Sequence, residues 1–256
     1  MQNCRRCGFK KWLKPAKDEK RYEWVRGHRV RVWLCGKCQQ LQAEEPPFIA
    51  LEPKILYVDI ESSLVKTLSW GLHVPSKYIN PALLLQPEFI ITWAASWVGE
   101  RQVYSGSVTG RQAKHGNDKQ CLKELWKLID DADLVAAHNG DRFDVKKINT
   151  RFLLNGYEKP RTFRTLDTLK MARKYFSFQS NKLEFISLSL GFNPKKDMEL
   201  DDWIQICMNG DEERIEKMRK YNIGDVREGK KVLEKFLPWV HPFPICPRGG
   251  YKAISQ

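Results

Sequence analysis

Two acidic residues close an apolar segment of the chain, in which residues 55–61 read ILYVDIE and carry Asp59 and Glu61. A short run that is almost entirely apolar predicts a strand buried on both faces. Positions i and i+2 of a strand point to the same side, so the two carboxylates would lie side by side. Like charges held this close repel, and burying them is costly unless a cation lies between them. The pattern therefore predicts a cation site at a strand end; the alternative is an ordinary strand followed by an acidic turn.

A second candidate metal site lies near the N-terminus, where two Cys-x-x-Cys pairs are separated by 27 residues. The four cysteines are Cys4, Cys7, Cys35 and Cys38. Each pair places two thiolates on one tight turn, and two such turns complete a tetrahedral zinc site. Apolar residues between positions 22 and 34, around Gly27, suggest a β-hairpin. We predict a zinc ribbon over residues 1–45 that holds one structural Zn²⁺; the alternative is a disordered arm with four free thiols.

The same N-terminal module is basic and aromatic. Up to Lys37 it has twelve lysines and arginines against three acidic residues. Four large aromatic residues are interleaved with these charges: Trp12, Tyr22, Trp24 and Trp33. Basic groups together with rings that can stack are what a nucleic-acid surface requires. At least one tryptophan must serve as the small core of the module, and the others are candidates for base stacking.

The composition of the whole chain favours the same class of partner. Its 256 residues carry a net charge of +13 with a pI near 9.4, which favours a polyanion, most commonly nucleic acid. No apolar run is long enough to span a bilayer, and no apolar segment follows the N-terminus as in a secretory signal. We therefore expect a cytoplasmic protein without a membrane partner. Seven cysteines in a reducing compartment favour metal ligation over disulfides.

Hydrophobic periodicity divides the rest of the chain into alternating strands and helices. The segment 44–47, Glu-Glu-Pro-Pro, predicts a linker, followed by a main domain at 53–240 and a C-terminal tail at 241–256. Strands are predicted at 55–61, 89–98, 102–104, 133–139 and 161–166. Helices are predicted at 118–131, 140–154, 168–175, 183–190, 201–207 and 211–237. The order predicts an α/β fold whose mixed sheet has a three-strand antiparallel meander followed by parallel additions.

Three acidic motifs stand in order along this domain. They are Asp59-x-Glu61 at a strand end, Asn139-x3-Phe143-Asp144 where a strand meets a helix, and Tyr221-x3-Asp225 on a late helix. Together they resemble the DEDD 3′–5′ exonucleases of the ribonuclease H-like superfamily, in particular the proofreading domains of family B DNA polymerases. Tyr221 marks the tyrosine (DEDDy) subtype, because the histidine subtype needs a histidine at position 220, which is lysine. The likeness covers residues 53–237 and implies a ribonuclease H-like mixed sheet flanked by helices.

The resemblance also implies a role for each residue of the motifs. Asp59 would bridge two Mg²⁺ or Mn²⁺ ions, with Glu61 and Asp225 on the ion that activates water. Asp144 would support the second ion, and Tyr221 would orient the attacking water. Asn139 and Phe143 would contact the terminal nucleotides, although Phe143 could instead be a core residue.

The likeness implies a two-metal 3′–5′ exonuclease that acts in replication, repair or recombination, with single-stranded DNA as the favoured substrate. The zinc ribbon is then a candidate for holding substrate or a replication or recombination partner. Two alternatives remain open: a catalytically weak nucleic-acid-binding module, and a structure-specific endonuclease or RNA-processing nuclease. The motifs do not account for the long segment 62–88, which we expect to be a loop over the site with short helical pieces and which could set substrate choice.

Overall fold

A computed structural model of the chain describes residues 53–70, 80–192 and 198–240, together with the backbone of four short strands before residue 32. The chain divides into two compact units, Met1–Ala50 and Leu51–Gln256. Among the described residues, no helix combines the length and the apolar character needed to cross a membrane.

The residues described in the N-terminal unit form two small antiparallel pairs of strands. The strands are β1 (Gln2–Asn3) with β2 (Lys10–Lys11), and β3 (Tyr22–Val25) with β4 (His28–Arg31). The second pair confirms the hairpin predicted around Gly27. The four cysteines lie outside the described residues, as does the tail 241–256, so the zinc ribbon stays a prediction.

Seven further strands lie in the described residues of the larger unit. They are β5 (Ile55–Ser62), β6 (Lys66–Thr67), β7 (Leu84–Gln86), β8 (Ile90–Trp97), β9 (Tyr104–Ser107), β10 (Leu134–Ala137) and β11 (Arg164–Asp167). Five of them form one mixed sheet in the order β11-β10-β5-β8-β9, and β6 pairs with β7 separately. The strands β5, β8 and β9 form the antiparallel meander, and β10 and β11 add parallel to β5. The predicted mixed sheet is therefore confirmed.

Seven α-helices accompany the described strands of this unit. They are α1 (Gly110–His115), α2 (Lys119–Asp131), α3 (Asp144–Leu154), α4 (Thr168–Tyr175), α5 (Leu183–Ser189), α6 (Leu200–Asn209) and α7 (Glu212–Phe236).

The two faces of β5 explain how its carboxylates come to lie where they do. Leu56, Val58 and Ile60 pack with the apolar residues of α2 and α3 on one face of the sheet. Ile55 and Tyr57 pack with the inward face of α7 on the other. Since side chains alternate along a strand, Asp59 and Glu61 continue the row of Ile55 and Tyr57 toward α7. A helix that bears acids thus faces the acids of the strand.

The sequence predictions were wrong at three elements. Helix α3 begins at Asp144, not at position 140, because residues 140–143 form a turn. Strand β9 lies at 104–107 and not at 102–104, and helix α1 was not predicted. In the described parts of segment 62–88, the 3₁₀ turn at Pro81–Leu83 agrees with the short helical pieces that were expected, whereas the β6–β7 pair was not predicted.

Candidate active site

A cavity of about 330 Å³ at the end of β5 is lined by every candidate residue of the exonuclease motifs. These are Asp59, Glu61, Asn139, Phe143, Asp144, Tyr221 and Asp225. They come from β5, from the turn between β10 and α3 together with the start of α3, and from α7. Three segments distant in sequence therefore converge on one space in the folded chain.

Three of the carboxylates are close enough to share a metal ion. One oxygen from each of Asp59, Glu61 and Asp225 lies within 4.8 Å of the other two. Asp144 lines the same cavity and is almost fully buried, but it does not belong to this set of three. Hard carboxylate oxygens are the ligands that Mg²⁺ and Mn²⁺ prefer, so the donor set fits the predicted ions.

Burial and mutual repulsion make these acids difficult to ionise in the absence of a cation. Burial raises the pKa of Glu61 to about 8, with added repulsion from Asp225 and Asp144. The pKa of Asp59 is also well above its usual range, chiefly because of burial and then because of Asp144 and Glu61. Such a cluster retains protons or takes up a cation in their place.

Asp144 is held in the cavity by the backbone. Burial raises the pKa of Asp144 to about 6, while its own amide and that of Ile60 donate hydrogen bonds that oppose the shift. The bond from Ile60 ties the first residue of α3 directly to β5. The carboxylate is thus fixed against the strand that bears Asp59 and Glu61.

Tyr221 presents its hydroxyl group to the acidic cluster. It lies one helical turn before Asp225 on α7, and positions i and i+4 share a face of a helix. Burial raises the pKa of Tyr221, and the charge of Asp225 and a hydrogen bond with that carboxylate raise it further. The phenol therefore stays protonated and can donate a hydrogen bond within the cavity.

The close approach of α7 to β5 depends on a glycine. A β-carbon at Gly229 would overlap the hydroxyl group and ring of Tyr57, a fully buried side chain, so either the ring or the helix would have to shift. Tyr57 stands two residues before Asp59 on the same face of β5, and Gly229 lies one helical turn after Asp225. The absence of a side chain at position 229 therefore permits the helix to bring Asp225 to the strand.

The turn that contains Asn139 is organised by the carboxylate of Asp167. Asn139 has φ of 64°, a left-handed conformation that asparagine tolerates better than most residues. Asp167 accepts hydrogen bonds from the amide of Asn139 at 3.0 Å and from the amide of Leu169 at 2.9 Å. A single carboxylate thus caps α4 and fixes the strand-to-helix turn that leads to Phe143.

Phe143 is not a core residue, because 43% of its surface is exposed at the rim of the cavity. The ammonium group of Lys147 lies 3.7 Å from the centre of its ring, a cation–π contact. The same ammonium donates to Ser62 Oγ at 2.8 Å and pairs with Glu88. The ring is therefore held in place from one side and open on the other.

Sequence reasoning missed Asn222, which is fully buried directly after Tyr221. Its side-chain amide donates a hydrogen bond to Asp59 Oδ2, and its Oδ1 has no partner among the described residues. The signal was available in the sequence: Asn222 is a polar residue in the inward stripe of α7, four positions after Met218 and four before Val226. Glu184 and Glu228 also line the cavity and were not predicted.

The match to a known family agrees with this fold. Residues 85–237 match the RNase_H superfamily, and since this is more than half of the chain, the protein belongs to that superfamily. No curated protein matches the sequence.

Among solved structures, the chain is similar to that of the family B DNA polymerase from the hyperthermophilic archaeon Pyrobaculum calidifontis. The TM-score is 0.53 at 13% sequence identity, over 73% of this chain and 25% of the polymerase chain. At that identity the likeness concerns the fold alone, and this chain spans only a quarter of the polymerase. The family match establishes the superfamily, and the cluster of Asp59, Glu61 and Asp225 could hold a metal ion.

We predict that replacing Asn222 by alanine weakens metal binding, because Asp59 loses the hydrogen bond that fixes one of its oxygens. The Mn²⁺ concentration at half-saturation, the Mn²⁺ midpoint, should rise about 10- to 100-fold, as is usual when a residue that hydrogen-bonds to a metal ligand is removed. The midpoint can be read both from the Mn²⁺-induced rise in Tm and from activity. Asn149→Ala, at an exposed position of α3, is the control. An Asn222→Ala protein with an unchanged Mn²⁺ midpoint would contradict the assignment.

The raised pKa values predict that stabilisation by metal grows with pH. The pKa of Glu61 is about 8 in the folded chain against 4.5 for a free glutamate. Between pH 4.5 and 8 the folded state therefore keeps a proton on Glu61 that the unfolded state has lost. Without metal, its contribution to stability is fully present below pH 4.5 and is lost as the pH rises toward 8.

Metal displaces that proton, so apparent affinity should rise about tenfold per pH unit for each proton released. Melting curves with and without Mn²⁺, recorded from well below the folded-state pKa of Glu61 to just above it, test this dependence. Glu61→Gln should flatten it, and a metal-induced shift in Tm that does not change with pH would rule it out.

Proposed function

We propose that the protein is a two-metal-ion 3′–5′ exonuclease of the DEDDy type, with single-stranded DNA as its preferred substrate. The observation that carries the proposal is the convergence of all seven motif side chains on one cavity, with three carboxylates within 4.8 Å of one another. A binding module that had lost catalysis would have no reason to keep four acids together in one cavity, with Asp144 buried and the other three partly buried, since their repulsion destabilises the fold without a cation.

Asp59, Glu61 and Asp225 would hold one divalent ion. Asp144 would support a second divalent ion. Such ions supply an activated water and neutralise the charge that develops on the phosphate. The chain itself contributes orientation: the protonated hydroxyl of Tyr221 donates a hydrogen bond to the attacking water or to Asp225. The half-exposed ring of Phe143 stacks on the terminal base, and Asn139 hydrogen-bonds to the terminal nucleotide.

The product ladder from end-labelled strands tests this proposal. With Mg²⁺, a 5′-labelled DNA strand should shorten in single-nucleotide steps, while a 3′-labelled strand should release labelled mononucleotide at once. RNA strands of the same sequence measure the preference between deoxyribose and ribose. Chelation of the metal should stop hydrolysis of the DNA and of the RNA. Cleavage of a covalently closed circular single strand would instead indicate an endonuclease, because an exonuclease requires an end.

We further propose that the N-terminal module is a zinc ribbon that holds substrate or a replication or recombination partner. Its twelve basic residues support a contact with nucleic acid, whose strength depends on salt. Deleting residues 1–45 should weaken binding and flatten its dependence on salt, while metal-dependent hydrolysis remains. Anisotropy titrations at several salt concentrations measure this effect. A Cys4→Ser variant, in which the zinc content is measured directly, keeps the basic residues and therefore separates loss of the metal from loss of charge. Unchanged binding after the deletion would rule the idea out.

A further inference from the structure

The segment between Ser62 and Glu88 leaves the sheet directly beside the acidic cavity. We call its described parts, residues 64–70 and 80–86, the arm. Two short strands form it, with Lys66 opposite Gln86 and Thr67 opposite Leu84. The amide of Leu68 donates to the carbonyl of Leu83 at 2.9 Å, which closes the pair.

The root of the arm is firmly attached to the elements of the site. Ser63 and Phe89 exchange two hydrogen bonds, of 2.8 and 3.0 Å, across the base of the arm. Lys147 joins both ends, since its ammonium contacts Ser62 and Glu88 while it lies over the ring of Phe143. The arm and the ring at the rim of the cavity are thus held by one side chain.

The arm exposes apolar side chains that nothing in the described residues covers. Trp70 is 99% exposed, and five further apolar residues of the arm are exposed to a lesser degree: Leu85, Leu68, Val65, Leu84 and Leu64. A fully exposed tryptophan on a two-stranded element contributes little to folding, so its indole is available to a ligand.

The charges of the segment indicate which ligand. The described residues of the arm contain no aspartate or glutamate, although the whole chain has 31, and they contain Lys66. A phosphate backbone that passes over the arm therefore meets no like charge from this segment. A flat ring in such surroundings is suited to stacking on unpaired bases.

We propose that the arm is a second base-stacking surface, in which Trp70 binds bases of a single strand upstream of the 3′ end that lies at Phe143. The inference rests on the proposed exonuclease function and extends it, because it assigns a preference for substrates long enough to reach from the cavity to the arm. The occupant is the single strand itself, not a protein partner.

Binding of labelled oligonucleotides to the full chain in Ca²⁺, which replaces Mg²⁺ to prevent turnover, tests the proposal. Trp70→Ala should weaken binding of a dT strand of about 20 nucleotides by about 5- to 100-fold, which is the usual effect of losing a base-stacking ring. Binding of a dT tetramer, the short reference substrate, should change less than about twofold. The slope of affinity against salt should stay as in the wild type, because no phosphate contact is removed.

Conservative variants distinguish base stacking from a merely apolar contact. Trp70→Phe should keep affinity for the long strand within about threefold of the wild type, whereas Trp70→Leu should behave like Trp70→Ala. A long strand with abasic sites upstream of its last four nucleotides should bind the wild type and Trp70→Ala equally. Leu154→Ala, an exposed apolar residue of α3, should have no effect.

Wild-type affinity of Trp70→Ala for the long strand would overturn the proposal. Wild-type affinity of Trp70→Leu for that strand would overturn it too, because it would indicate an apolar surface for a protein. The hydrolysis ladder keeps the two proposals separate. A normal ladder without any dependence of binding on Trp70 defeats this inference alone. Binding that depends on Trp70 without any ladder defeats the proposed activity and leaves the arm as a single-strand binding surface.

Discussion

Asp59→Ala and Asp225→Ala are expected to reduce hydrolysis at least about 10³-fold. Loss of a metal ligand removes several kcal/mol of transition-state stabilisation, and each ~1.36 kcal/mol corresponds to a factor of ten. Asp59 contacts Asn222 and approaches Glu61 and Asp225, so it occupies the centre of the cluster. Single-turnover cleavage of a 5′-labelled strand in saturating Mg²⁺ measures the loss.

The same two variants are expected to stay folded, and without metal they should be at least as stable as the wild type at neutral pH. Each removes one carboxylate from a group whose members repel, and that repulsion adds to burial in raising the pKa values of Asp59 and Glu61. Melting curves without metal measure this, and the wild type should regain its advantage when Mn²⁺ is added.

Glu213→Ala is the matched control, because Glu213 is an exposed acid on the helix that carries Asp225. It should keep normal turnover. Normal, chelator-sensitive turnover in both Asp59→Ala and Asp225→Ala would place the active site elsewhere in the chain.

The convergence of acids could be predicted because strand ends and helix faces are local properties of a sequence. The alternation along β5 placed Asp59 and Glu61 on one side, and the helical repeat placed Tyr221 and Asp225 on one face. Neither pattern contains the distance between the strand and the helix. That distance depends on the close approach of α7 to Tyr57 at a glycine, which joins residues far apart in the sequence.

The errors have the same origin in contacts between distant segments. The turn at 140–143 has the composition of a helix start, but Asp167 of another strand accepts hydrogen bonds from the amides of Asn139 and Asp141, and the helix begins only at Asp144. Strand β9 contains Gly106, although glycine is a weak strand former. A glycine is required at this position because the indole of Trp93 lies 2.5 Å from where a β-carbon would be. Such pairings are visible only once the chain has folded.

Asp118→Ala is expected to destabilise the fold strongly, by about 3–5 kcal/mol. The side chain of Asp118 is fully buried and accepts four hydrogen bonds. They come from the amide of Ile90 at 2.9 Å, from Arg151 Nε and Nη2 at 2.8 and 2.7 Å, and from Asn155 Nδ2 at 2.8 Å. Removing the carboxylate leaves a largely buried guanidinium without its counter-charge, which costs more than the ion pair contributes.

Arg151 is the reason why this loss should reach the active site. It lies on α3, whose first residue is Asp144, and its Nη1 donates to the carbonyl of Glu88 at 3.1 Å, at the root of the arm. Asp118 therefore joins the start of α2, the strand β8 and the helix that holds an acid of the cavity. Asp118→Ala should raise the Mg²⁺ midpoint for hydrolysis as well as lower the melting temperature, by about 10 °C for a chain of this size.

A double-mutant cycle tests whether the buried pair is the cause. Asp118→Ala and Arg151→Ala should each be strongly destabilising, and the double variant should be less so than their sum, because no unpaired charge remains. Asp131→Ala is the matched control, since its pairs with Lys54 and Arg161 are exposed and should contribute less than about 1 kcal/mol. Additive losses in the cycle would show that Asp118 acts through the amide of Ile90 or the side chain of Asn155 and not through the guanidinium. The effect on the Mg²⁺ midpoint should then be absent from Arg151→Ala.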